Sequence, residues 1–89
     1  VLAIADLNPQ APVHLLVMPI AHAADIGTFS DAAHAADVAH LIAVAAKLGR
    51  EHGGKGYRLV INTGDEGGQT VGHLHVHVLA GRHMTWPPG

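Results

Sequence analysis

Residues 73–79, His73-Leu74-His75-Val76-His77-Val78-Leu79, hold imidazole and aliphatic side chains in strict alternation up to Val78. A period of two suits a strand with unlike faces, whereas a helix would scatter both sets around its circumference. The stretch therefore predicts a strand with Leu74, Val76 and Val78 on one face and His73, His75 and His77 on the other, neighbouring histidines about 7 Å apart. The apolar face needs a cover. From Asp31 to about His52 the alanine-rich sequence places Ala33, Ala36, Leu41, Ala45 and Leu48 along one helical stripe, with Ser30 able to cap it and Gly53-Gly54 to end it. Three further runs read as strands: Val1 to Leu7, stopped by Asn8-Pro9; Val13 to Met18, between Pro12 and Pro19; and Tyr57 to Asn62. The turn-rich 63–68 segment predicts that Tyr57 to Asn62 and the histidine strand pair antiparallel. Ile20 to Thr28 reads as loop or a short helical turn. The fold class is α+β: one domain over residues 1–89, a mostly antiparallel sheet of about four strands and one long helix on its apolar face.

Composition excludes several function classes. Five Lys and Arg against seven Asp and Glu leave a net charge of −2 and no basic stripe, which argues against nucleic acid as a partner. The absence of cysteine removes disulfides, thiolate nucleophiles and thiolate zinc sites, and the cytoplasm is the expected location. No run of about 18 apolar residues or signal-peptide pattern occurs, so no membrane association is expected. With Phe29, Tyr57 and Trp86 the only aromatics, the core is expected to be thin and a two-fold dimer to supplement it. The anomaly is nine histidines, the side chain whose charge changes near neutral pH.

Three chemistries suit the histidine face. Imidazoles can line a solvated strand without further role, although threonine or valine would suit such a strand better. They can ligate a metal, but the outer pair, His73 and His77, lie about 14 Å apart, while each Zn to N bond spans only about 2 Å. Two of the three could bind one ion, with His14 or His22 completing a zinc-dependent hydrolase. Finally, a neutral imidazole can attack phosphorus, provided an acceptor fixes the proton on its other nitrogen and further histidines bind phosphoryl oxygen or carry a proton.

The segment Gly68-Gln69-Thr70-Val71-Gly72-His73-Leu74-His75-Val76-His77-Val78-Leu79-Ala80-Gly81-Arg82, closed by Trp86-Pro87-Pro88-Gly89, resembles the signature of the histidine triad nucleotide hydrolases. Asp6 within Ile4-Ala5-Asp6-Leu7-Asn8-Pro9-Gln10-Ala11-Pro12, His14 before Leu15-Leu16-Val17-Met18-Pro19, and Asn62 are similar to the same family. The similarity is strongest to its purine nucleoside phosphoramidase branch, whose members are intracellular homodimers.

The resemblance implies that His75 takes a nucleotidyl group, releases an amine and leaves a nucleotidyl-histidine for water to resolve. It gives His77 the phosphoryl oxygen, His73 the orientation of the nucleophile's ring, and His14 the completion of the histidine network. Asn62, Gln69 and Thr70 would surround the phosphate and leaving group, Asp6 would accept from both ribose hydroxyls, and Ile4 and Leu7 would form part of a purine pocket. Trp86 would reach the partner subunit's site. No cofactor is implied. A purine-nucleotide-binding scaffold without turnover is a further alternative. Apart from the resemblance, Asp6 and Asn62 could be turn residues and His14 a core histidine. His34, His40 and His52 read as solvent-facing, and His22 and His83 carry no assignment. Val1 opens directly into apolar sequence, so the chain is expected to begin partway into a longer protein; the resemblance implies a preceding segment and strand hairpin that complete the base pocket and one sheet edge. Gly72 stands where relatives often carry a bulkier side chain.

Overall fold

Prolines set the length of the second strand. Val13–Met18 (β2) runs from Pro12 to Pro19, neither of which has an N–H to extend a ladder. Leu2–Ala5 (β1) precedes it, and after the helical segment come Tyr57–Val60 (β3) and Val76–Ala80 (β4). In the computed structural model, which describes residues 1–89, these form one antiparallel sheet in the order β1-β2-β4-β3. The register aligns Ile4 with Leu16, Leu16 with His77, and His77 with Val60, so these four share a cross-strand row on one face. The adjacent row, Ala3, Val17 and Val76, faces the other way.

A four-residue helix, Ile26–Phe29 (α1), and a 3₁₀ turn, Ala32–His34, lead into Ala35–His52 (α2). α2 lies on the face that carries Val17, Val76 and Val78, and Leu41 and Ala45 complete a fully buried core with them. Leu74, Phe29 and Ala23 extend that core beyond the ladder. Gly49 is buried where α2 meets the Tyr57 ring; a Cβ there would stand 2.4 Å from the ring, so only glycine permits this approach.

The outline matches the α+β reading, including antiparallel pairing of the last two strands, and several boundaries differ. The helical segment starts with Asp31, whose carboxylate accepts the His34 N–H, rather than with Ser30. Ala33 and Ala36 are exposed: Ala33 lies in the 3₁₀ turn, and Ala36, five residues before Leu41 on α2, points away from the buried stripe; Val38 and Ile42 pack beside Leu41 instead. β1 ends at Ala5 because Asp6 turns the chain, its Oδ1 accepting the Asn8 N–H at 2.8 Å. β3 ends at Val60, short of Asn62. β4 begins at Val76 rather than His73: extending the β2 register would set Pro19 opposite Leu74, where it has no N–H to give. The Leu74 amide donates to the Ala23 carbonyl at 2.8 Å instead. Alternation nevertheless persists, with Leu74, Val76, Val78 and Ala80 buried and His73, His75 and His77 half-buried.

His40 and His52 are exposed as expected, but His34 is half-buried, stacked on Phe29 with a ring-centroid distance of 4.4 Å and paired with Asp31.

Candidate active site

The sheet face opposite α2 gathers His14, His75 and His77. His14 is buried on β2, and its Nε2 lies 2.9 Å from His77 Nδ1. The His75 and His77 rings meet edge to face at 4.9 Å between centroids. Extending the β3 register sets Asn62 across from His75, at the border of the same face.

Main-chain partners decide where the ring protons are. Carbonyls only accept, so His75 must carry its proton on Nδ1 to donate to the His73 carbonyl at 2.8 Å. In the neutral ring, Nε2 then holds a free lone pair. By the same logic the His73 imidazole donates from Nε2 to the Pro19 carbonyl at 2.9 Å. An amide only donates, so the Gln10 N–H, 3.0 Å from His14 Nδ1, makes that nitrogen an acceptor and puts the neutral ring's proton on Nε2. His14 Nε2–H therefore donates to His77 Nδ1, and neutral His77 keeps its proton on Nε2 as a free donor. Burial first, then the neighbouring His75 and His14 rings, hold His77 below the ordinary histidine pKa, partly opposed by Asp6. His77 is thus a neutral donor at neutral pH.

His73 does not touch the His75 ring with its own imidazole. Its carbonyl does the orienting, while its ring ties the residue to Pro19. Asp6 is both turn cap and neighbour of the site, with Oδ2 3.4 Å from His14 Nε2. The Gln69 side chain is spent on the loop: its oxygen accepts from Gly64 N–H at 3.2 Å and its nitrogen donates to the Ala24 and Val71 carbonyls at 2.8 and 3.1 Å. It braces the segment that delivers Thr70, which is exposed. Ile4 lies in the row of His77 and Leu16 and is 45% exposed, while Leu7 and Trp86 are almost entirely open to solvent. Sequence reasoning missed Gln10 and Pro19, because both act through the main chain and leave no side-chain signal.

Zinc is the metal that the histidine face brings into question. Asp6, His14 and His77 place three potential ligand atoms within 4.8 Å of one another, whereas His73 and His75 join no such group. The four-histidine set is therefore not assembled. Nor does the Asp6 group fit a metal as it stands: with Gln10 on Nδ1, His14 turns a proton, not a lone pair, toward the cluster.

An antiparallel sheet backed by one helix, with interlocked histidines on its open face, defines a small α+β class built around a histidine cluster. The family description that matches residues 1–84 is the HIT domain, and the chain belongs to that family. It is 48% identical over 89 residues to an uncharacterized HIT-like protein of Synechococcus elongatus, covering 99% of this chain and 77% of the relative. A 14 kDa zinc-binding protein of Zea mays is 44% identical over 91 residues, covering 100% and 71% respectively. The crystal structure of a HIT family hydrolase from Legionella pneumophila superposes with a TM-score of 0.92 at 45% identity, over 98% of this chain and 79% of that one.

Proposed function

We propose that the chain hydrolyses nucleoside phosphoramidates or related nucleotide conjugates through a nucleotidyl-histidine intermediate on His75. The observation that carries this reading is the 2.8 Å contact from His75 Nδ1 to the His73 carbonyl, which leaves Nε2 as the nucleophile. Nε2 forms a bond to phosphorus as the bond from phosphorus to the amine breaks, and the amine leaves with a proton from the site. The ring gains positive charge in this step, which strengthens its Nδ1–H bond to the carbonyl. Water then attacks phosphorus as the bond from phosphorus to Nε2 breaks, its released proton replaces the one the amine took, the nucleoside monophosphate departs and the neutral ring is restored.

His77 Nε2–H is the donor for a phosphoryl oxygen on which charge develops. Asn62 and Thr70 add neutral donors at the border, with Gln69 supporting their loop. Asp6 retains lone pairs for ribose hydroxyls beside the bonds it already accepts, and Ile4 and Leu7 offer apolar surface to a purine. On this reading the protein acts on purine nucleotides as a cytoplasmic homodimer, and the exposure of Trp86 supports a role for the tail at the partner's site. His75→Ala should abolish turnover while nucleotide binding persists, since it removes the attacking nitrogen and not the base and ribose contacts. Wild-type rates in that variant would refute the mechanism. A wild-type chain that binds nucleotide without turnover would favour the scaffold reading.

A further inference from the structure

A hydrogen-bonded pair of neutral imidazoles can carry its protons in either direction. If His14 donates to His77, His77 presents Nε2–H outward; if His77 donates from Nδ1, its Nε2 becomes a lone pair that repels a phosphoryl oxygen. The direction is set at His14 Nδ1 by the Gln10 amide, 3.0 Å away. Asp6 Oδ2, 3.4 Å from His14 Nε2, favours the same arrangement.

Gln10 is itself held from outside the site. Arg82 Nε–H donates to the Gln10 carbonyl at 2.9 Å, and Arg82 Nη1–H donates to the His83 carbonyl at 3.3 Å, bracing the guanidinium on its own loop. The Gln10 side chain reaches back to the Asn8 carbonyl at 3.0 Å. Gly81 makes the approach possible: it adopts φ +91°, and a Cβ there would stand 2.8 Å from Pro12. The loop after β4 and the loop before β2 are therefore locked together at Gly81 and Arg82.

We propose that Arg82 is a positioning residue that fixes the proton direction of the His14–His77 pair, by holding Gln10 so that its amide occupies His14 Nδ1. Its consequence for rate rests on the phosphoryl-transfer reading above, whereas its consequence for the imidazole protons does not. Arg82→Ala frees the Gln10 carbonyl and so loosens the residue whose amide meets His14, and Gln10→Pro deletes the amide proton outright. Gln10→Ala keeps it.

Long-range ¹H–¹⁵N spectra of the imidazole nitrogens provide the test. In the wild type and in Gln10→Ala, His14 should carry its proton on Nε2 alone. In Arg82→Ala and Gln10→Pro a second population protonated on Nδ1 should appear, and Arg82→Lys, which restores one donor, should reduce it. With a nucleoside phosphoramidate, Arg82→Ala should lower kcat about 10-fold and change KM less than about 2-fold, as expected for a donor disordered in the transition state. A wild-type His14 spectrum in Arg82→Ala would overturn the proposal, whatever the thermal stability of that variant. Shifted spectra without phosphoramidate turnover in any variant, wild type included, would uphold it and refute the hydrolase reading. If Gln10→Pro does not fold, the Arg82 pair decides alone.

Discussion

His77 is the residue on which burial and chemistry pull together. Burial and the two neighbouring imidazoles disfavour its charged form, so its pKa in the folded chain lies below the ordinary value of 6.5. Below that value the unfolded chain takes up a proton that folded His77 resists. The associated stability is therefore present above pH 6.5 and declines as pH falls from there through the folded pKa. Urea midpoints should drop between pH 7.5 and pH 5.5, and His77→Gln should make the drop shallower; an unchanged pH dependence would count against the shift. Asp6 carries the second prediction at this scale. Asp6→Asn should weaken ribonucleotide binding far more than binding of the 2',3'-dideoxy analogue, which lacks the hydroxyls a carboxylate would engage. Equal losses in calorimetric titrations would leave Asp6 as the cap of its turn and a neighbour of His14. The role of Asp6 in that turn was open to sequence reading as an alternative. Its approach to His14 was not, since it requires β1 and β2 to be paired.

Where α2 crosses β3, no side chain is admitted at Gly49. Alanine there would bring a Cβ to 2.4–2.7 Å from the Tyr57 ring atoms. Overpacking of this kind costs about 1–3 kcal/mol and outweighs the ~1 kcal/mol that alanine gains over glycine in a helix. Gly49→Ala should therefore lower the urea midpoint, and adding Tyr57→Ala should make the glycine substitution nearly neutral or favourable. An equal effect of Gly49→Ala in both backgrounds would show that the contact is not the cause. The existence of α2 and the apolar face of β4 were legible, because periodicity is local. The start of α2 was not: Asp31 and Ser30 are both competent caps, and the choice between them follows from how α1 and Phe29 enter the core. The first residue of β4 was hidden for a similar reason, since it depends on which residue before Val76 the register sets opposite Pro19.

For the molecule as a whole, the fully buried side chains are few and mostly small, with Leu41 and Leu74 the largest, while Leu2, Ile4 and Trp86 remain open to solvent. A chain of this size gains from sharing apolar surface with a second copy. Sedimentation at tens of micromolar should show a symmetric homodimer, and a monomer would reject that assembly. The tail is tied to its own sheet where Arg58 donates to the Thr85 carbonyl at 3.0 Å, and beyond that point Trp86 is 84% exposed. Removing residues 85–89 should alter substrate preference or turnover more than folding cooperativity, and unaltered kinetics would reject a role for the tail at the site. No helix is long and apolar enough to cross a membrane. The sequence by itself determined the strand alternation, the helix over most of its length, the proline limits of β2 and the identity of the three central histidines, because each is written in neighbouring residues. Only the tertiary structure decided which histidine nitrogens carry protons. Those positions depend on the carbonyls of His73 and Pro19, the Gln10 amide and the distant hold of Arg82, and main-chain groups have no side-chain identity from which a sequence could reveal their partners.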